Sequence, residues 1–160
     1  MNIVIALAIL ILALFAGAFL SKRRFGLLGL GLAAGAVVSP IWGDTASFVL
    51  SATGLIPEGP LVKVIALSVI LLIPAVLFMF HGYTYKGMFG RIVGSLLFTI
   101  LAVAFLLGPI GEALTLTGPV AGVYAWLVSH HELLMSGGIV LAIADLLTAR
   151  AVHKSEKKHR

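Results

Sequence analysis

Apolar residues run through this chain in long blocks, broken by short stretches that carry Gly, Pro, Lys or Arg. The blocks cover residues 2–20, 25–42, 61–80, 92–107 and 133–149. Each is close to the roughly 20 residues that a helix rising 1.5 Å per residue needs to cross a hydrocarbon layer of about 30 Å. The pattern predicts an all-α, polytopic membrane helix bundle with five transmembrane helices. Ser21 and the run Lys22, Arg23, Arg24 end the first block. Pro40 and Gly43 should end the second, with Trp42 at interfacial depth, and Gly108 and Pro109 should stop the fourth. Pro74 should kink the third by removing one intrahelical hydrogen bond.

Two further stretches are shorter. Between residues 44 and 60 the chain is too polar to span, yet Phe48, Ala52, Leu55 and Ile56 share one helical face while Ser47, Ser51 and Gly54 share the other. That describes an outer interfacial helix, a re-entrant helix or a loop lying against the bundle. Residues 120–128 are apolar but are followed at once by Ser129, His130, His131 and Glu132. Joining them to the next block would bury that polar group at several kcal/mol per charge. A short outer helix at 120–128 is therefore predicted, and the chain reads as one transmembrane domain, residues 1–149, with a basic tail, residues 150–160.

Composition adds class and orientation. Of 160 residues, 61% are hydrophobic and 11% charged, where soluble domains carry about a quarter charged residues. With this segmentation, all but Lys63 of the 11 Lys and Arg residues fall on one side of the membrane. They are Lys22, Arg23 and Arg24, then Lys86 and Arg91, then Arg150, Lys154, Lys157, Lys158 and Arg160. Cations beside spanning helices stay cytoplasmic, which predicts an outside N-terminus and a cytoplasmic C-terminus, with Lys63 snorkelling to the outer surface. Asp44, Glu58, Glu112 and Glu132 fall on the outer side. Only Met1 and Asn2 precede the first block, so a retained helix is predicted rather than a signal peptide. The default membrane is the bacterial cytoplasmic one.

The net charge of +5 is divided among helix ends, which argues for anionic lipid headgroups at the cytoplasmic face and against nucleic acid. Lys154, Lys157, Lys158 and Arg160 are dense enough to attract such lipids at about 1 kcal/mol per charge. The chain has no cysteine, which excludes disulfides and thiolate chemistry.

Candidate chemistry is sparse. Asp145 is the one carboxylate inside a predicted span, five residues before Arg150. The leading reading is an ion pair with Arg91 or Lys86, and the sharper one a proton- or cation-handling role. His130, His131 and Glu132 are consecutive, so on a helix they point about 100° apart and do not converge on a metal. Gly31, Gly35 and Ser39 at four-residue intervals, together with Gly90 and Gly94, form small-residue faces for helix packing within the chain or for an oligomer contact. No H-E-x-x-H, G-x-S-x-G, phosphate-binding loop or dinucleotide fingerprint is present. The expectation is a protein without enzymatic activity or cofactor.

The hinge Lys22, Arg23, Arg24, Phe25, Gly26 and the turn Gly90, Arg91, Ile92, Val93, Gly94 follow one another in an order that resembles the colicin V production family of small bacterial membrane proteins. The resemblance covers about residues 2–107; residues 108–132 and the fifth span have no counterpart in that pattern. It implies an accessory role in envelope homeostasis or peptide secretion, with no catalytic residues to carry over. The first functional expectation is therefore a scaffold or assembly factor working with other membrane proteins. The second is a small permease or channel subunit whose oligomer would build a polar path from Ser95, Thr99 and Asp145.

Overall fold

In a computed structural model the structure describes residues 3–54, 56, 59–85, 87–113 and 119–158, and these are mostly helical. The helices are α1 (Ile3–Ser21), α2 (Phe25–Ala52), α3 (Pro60–Phe80), α4 (Met88–Ala113), α5 (Pro119–Ser129) and α6 (His131–Lys158). Among the described residues four stretches are long and apolar enough to cross a membrane: Phe25–Ala52, Pro60–Phe80, Met88–Gly111 and His131–Thr148, with mean hydropathy between 1.4 and 2.7. A shorter apolar stretch, Leu7–Ser21, lies in α1. Large apolar side chains cover the outside of the bundle, among them Leu12, Ile41, Leu77, Leu96 and Val140. A water-facing surface does not carry so continuous an apolar area, whereas lipid tails solvate it at no cost. The chain is a helical membrane protein.

Three expected boundaries are corrected. Helix α2 does not end at Pro40 and Gly43 but runs through them to Ala52, so the first part of the segment 44–60, read as an outer interfacial helix, a re-entrant helix or a loop, forms the last turns of α2. Pro40 costs the helix one hydrogen bond, while breaking the helix at membrane depth would strand several backbone groups where no water reaches them. Helix α4 likewise passes Gly108 and Pro109 and continues to Ala113. Helix α6 passes Ala149 and stays helical to Lys158, so the segment read as a free tail continues a spanning helix.

Helices α2 and α4 form the centre. The buried core is built from Phe25, Leu28 and Leu32 of α2, Leu71 and Ala75 of α3, Phe98, Leu101, Ala102 and Leu106 of α4, Leu14 and Ala18 of α1, and Ala142 of α6. Without a hydrophobic driving force between helices in lipid, association relies on close approach and interhelical hydrogen bonds. Helix α2 supplies both. A Cβ at Gly31 would lie 2.8 Å from the Ala75 Cα, and one at Gly35 would lie 2.9 Å from the Leu71 Cα and run into the Leu71 carbonyl. One turn further on, the buried Ser39 hydroxyl donates to the Leu67 carbonyl at 3.3 Å. The face formed by Gly31, Gly35 and Ser39 is thus occupied by α3 of the same chain. A second set, Gly26 and Gly29, faces α6, where a Cβ at Gly29 would lie 2.9 Å from that of Ala142.

Residues 22–24 and 83–85 draw the two helix connections together as a short antiparallel pair. The Arg24 N–H donates to the Tyr83 carbonyl at 3.1 Å and the Tyr85 N–H to the Lys22 carbonyl at 2.9 Å, around the Arg23–Thr84 bridge. The ends of α1 and α3 and the starts of α2 and α4 therefore lie together, at what is called below the arginine end.

Alanine at Gly35 must push α2 away from the Leu71 carbonyl, whereas Gly137 on α6 has open space around it. Gly35→Ala should lower stability in detergent by about 1–3 kcal/mol. Gly137→Ala should hold stability or raise it by up to about 1 kcal/mol. Thermal unfolding of the two variants beside the parent checks the contrast.

Candidate functional site

The N-terminus of α2 carries a polar problem that the rest of the arginine end solves. A helix leaves its first N–H groups without internal partners, and a Ser, Thr, Asp or Asn at the N-cap normally accepts one of them. Here Arg24 holds the N-cap position, has only donors to offer and makes no side-chain cap. The acceptors come from elsewhere in the sequence. The Phe25 N–H donates to the Tyr85 hydroxyl oxygen at 3.1 Å, and the Gly26 N–H donates to Oδ2 of Asp145 at 2.9 Å. The Leu27 N–H turns back to the Arg24 carbonyl at 3.1 Å. A carboxylate at this end of a helix also meets the positive end of the helix dipole. Asp145, 119 residues away on α6, thus does the work of an N-cap for α2.

Arg24 closes the group. Its Nη1 donates to the backbone carbonyl of Asp145 at 3.1 Å and stands 4.0 Å from Oδ1 of the same residue, and its guanidinium lies over the Tyr85 ring at 5.3 Å. At 4.0 Å the ion pair is loose, so the shorter backbone hydrogen bonds carry more of the attachment. The sequence-based pairing of Asp145 with Arg91 is corrected: Arg24 takes that place, because α6 crosses α2 at Gly26 and Gly29 and so brings Asp145 to the start of α2.

Tyr85 is positioned by the glycines of α4. A Cβ at Gly90 would lie 2.9 Å from its Cδ1, and one at Gly94 would lie 2.6 Å from its Cε2 and 2.8 Å from its hydroxyl. The Gly90 and Gly94 pair therefore seats an aromatic ring rather than a second helix. Half-buried there, the Tyr85 hydroxyl is hydrogen-bonded to the Asp145 side chain as well as accepting from Phe25. Its pKa is raised above the usual 10.0, first by burial and then by the charge and hydrogen bond of Asp145, with the Phe25 N–H and Arg24 acting in the opposite direction.

The other two arginines cap helices at their C-terminal ends. Arg23 donates through Nε to the Met79 carbonyl at 3.1 Å and through Nη2 to the Phe80 carbonyl at 2.7 Å, and through Nη1 to the Gly82 carbonyl. Arg91 donates through Nη2 to the Phe19 carbonyl at 3.0 Å, at the end of α1, and lies 4.4 Å above the Phe19 ring. Its Nε is buried with no hydrogen-bond partner among the described residues, and the ring face beneath the guanidinium offsets part of that cost. Cations are favoured at helix C-termini, where the last carbonyls are free.

No family model, curated protein or solved structure matches this chain.

The remaining sequence candidates lie elsewhere. Ser95 and Thr99 are buried inside the bundle and return their hydroxyls to the carbonyls of Arg91 and Ser95, one turn back, at 2.7 and 2.8 Å. His130 and His131 direct their Nδ1 atoms to the carbonyls of Trp126 and Val128, and among the described residues no three His, Cys, Asp or Glu side chains gather as a metal site. Lys86 and Arg160 lie outside the described residues, as do the side chains of Lys154, Lys157 and Lys158. Tyr85 is a residue of this site that the sequence reading did not single out. The signal that would have found its role is the absence of a capping residue before Phe25.

Because the Tyr85 pKa is higher in the fold than in the unfolded chain, its contribution to stability is complete below pH 10.0 and is lost as pH rises through the folded value. Tyr85→Phe should cost about 1 kcal/mol at neutral pH through the lost hydrogen bonds. It should also make the decline above pH 10.0 shallower than in the parent. Thermal unfolding of both proteins from neutral to strongly alkaline pH measures the difference.

Proposed function

We propose that this chain is a non-enzymatic integral membrane protein that serves as an accessory, scaffold or assembly factor in a bacterial envelope or secretion process. The carrying observation is that the buried hydroxyls and the intramembrane carboxylate are engaged by the chain's own backbone. Ser39, Ser95 and Thr99 donate to carbonyls of this chain, and Asp145 accepts from Gly26. A permease or channel subunit needs such groups turned toward a cavity or a neighbouring copy. The resemblance over residues 2–107 to the colicin V production family supports the same reading.

In this reading the protein has five spans, α1 included, because 19 helical residues extend about 28 Å, close to the hydrocarbon thickness. The arginine end, with Lys22, Arg23, Arg24 and Arg91, faces the cytoplasm of a bacterial cell, and anionic lipid gathers there. Partners are other membrane proteins or further copies of this chain, approached through the lipid-facing sides of the outer helices.

Affinity purification from membranes in a mild detergent should return a stoichiometric membrane-protein partner. The purified chain, reconstituted alone in vesicles, should pass no ions or small solutes above the protein-free background. Flux by the protein alone, abolished by Thr99→Val, would instead establish the transport reading.

A further inference from the structure

On the side of the arginine end where α1 meets α4, the chain leaves cationic groups unspent. Arg23 gives its donors to the carbonyls of Met79, Phe80 and Gly82, and Arg24 gives Nη1 to that of Asp145. Arg91 commits only Nη2, to Phe19, and its Nη1 has no hydrogen-bond partner among the described residues. Lys22 is exposed, and its ammonium meets neither an acceptor nor a carboxylate among them.

These two residues are neighbours. The Lys22 N–H, at 3.4 Å, and Arg91 Nη2, at 3.0 Å, donate to the same carbonyl, that of Phe19. The Tyr85 N–H holds the Lys22 carbonyl at 2.9 Å, so the Lys22 backbone is fixed on both sides. That backbone is left-handed, with φ 57°. Just past its last residue a helix commonly places glycine in this conformation, because a Cβ is strained there. Lys22 keeps a charged side chain in spite of the strain, and strain retained in this way points to function.

Charge selects the ligand. Of the six carboxylates in the chain, Asp44, Glu58, Glu112 and Glu132 belong by their place in the sequence to the opposite end of the bundle. Asp145 is engaged by Gly26 and Arg24. Glu156 lies beyond Asp145 on α6, about 16 Å further along the helix. None of them is placed to offset Lys22 and Arg91, and Lys86, next in the chain to Tyr85, adds positive charge wherever its side chain lies. Toward the membrane, Leu20 of α1 and Ile92 and Leu96 of α4 are exposed apolar side chains that continue both helices into the hydrocarbon layer.

We propose that Lys22 and Arg91 bind the phosphate of an anionic phospholipid at the seam of α1 and α4. The Lys22 ammonium and Arg91 Nη1 each donate to a phosphate oxygen, and the acyl chains lie along Leu20, Ile92 and Leu96. A zwitterionic headgroup would bring its own cation into a site that already holds two. The proposal rests on the reading that the arginine end lies in the headgroup layer and gathers anionic lipid; it adds that one such lipid is held at one place.

Arg91 also caps α1, so the test is placed on Lys22. Native mass spectrometry of the purified full chain in detergent, exchanged against equimolar phosphatidylglycerol, phosphatidylethanolamine and phosphatidylcholine with identical acyl chains, should show phosphatidylglycerol retained above the other two. Lys22→Gln should lower that retention about two- to fivefold, the size of one exposed ion pair. Lys22→Arg should retain the lipid as the parent does. Lys22→Gly should lose as much lipid as Lys22→Gln while its thermal midpoint stays level or rises, because glycine takes the left-handed backbone without strain. A misfolded variant cannot give that combination. Lys154→Gln, which removes a cation from the far part of α6, should bind like the parent, and excess inorganic phosphate should not displace the lipid. Parent-like retention in Lys22→Gln, or equal losses in Lys22→Gln and Lys154→Gln, would overturn the site and leave general attraction of anionic lipid to this end standing. No preference for phosphatidylglycerol in the parent would overturn both. Full displacement by inorganic phosphate would assign the pair to a free anion and overturn the lipid as its ligand.

Discussion

A helix that starts without an acceptor at its N-cap must find one elsewhere, and in α2 that need ties the bundle together at one end. The N–H groups of Phe25 and Gly26 reach Tyr85 and Asp145, which belong to the α3–α4 connection and to α6. Each bond is worth only about 1 kcal/mol net, more where a charge takes part. Their effect exceeds that sum because one carboxylate fixes three elements: the start of α2, the ring of Tyr85 and the cytoplasm-ward part of α6 in the orientation proposed. Arg23 and Arg91 then satisfy carbonyls at the ends of α3 and α1, and Arg24 the backbone carbonyl of Asp145 within α6, so cations that would orient any membrane protein also hold this one closed.

Glycine makes those bonds geometrically available. At Gly26 a Cβ would meet the Ala142 carbonyl and the Leu146 side chain, which would lift α6 away and take Asp145 out of reach of the Gly26 N–H. At Gly90 and Gly94 a Cβ would displace Tyr85 in the same way. The small residues of α2 and α4 thus serve two purposes. Those facing α3 bring two helix backbones into contact, and those at the arginine end let polar groups from separate helices approach a backbone N–H.

Helix existence and the membrane class were readable from the apolar blocks, because in lipid the backbone must be satisfied within each segment and long apolar runs have few other solutions. The C-terminal boundaries of α2, α4 and α6 were not. Pro40, Pro109 and the polar residues after Ala149 each signal a stop in water, and each is passed over by a helix whose neighbours or surroundings make continuation less costly than ending. Asp145 was recognisable as a residue needing a partner, but its partner was misassigned to Arg91. Which arginine it meets depends on where α6 crosses α2, and that crossing is set by Gly26, Gly29 and Ala142, a packing relation with no linear signature. The small-residue pair Gly90 and Gly94 was visible as a pattern, while its occupant, a tyrosine ring from the preceding connection, was not.

The dependence of α2 on Asp145 can be read directly from hydrogen exchange at a single amide. The Gly26 N–H should be protected in the parent protein in micelles. It should exchange about tenfold faster or more in Asp145→Ala, a loss of roughly 1.4 kcal/mol or more. Asp145→Asn, which keeps an acceptor oxygen, should lose less, and the Leu32 amide in the middle of α2 should be unchanged in both. Equal protection of Gly26 in the parent and in Asp145→Ala would contradict the claim that this carboxylate caps the helix.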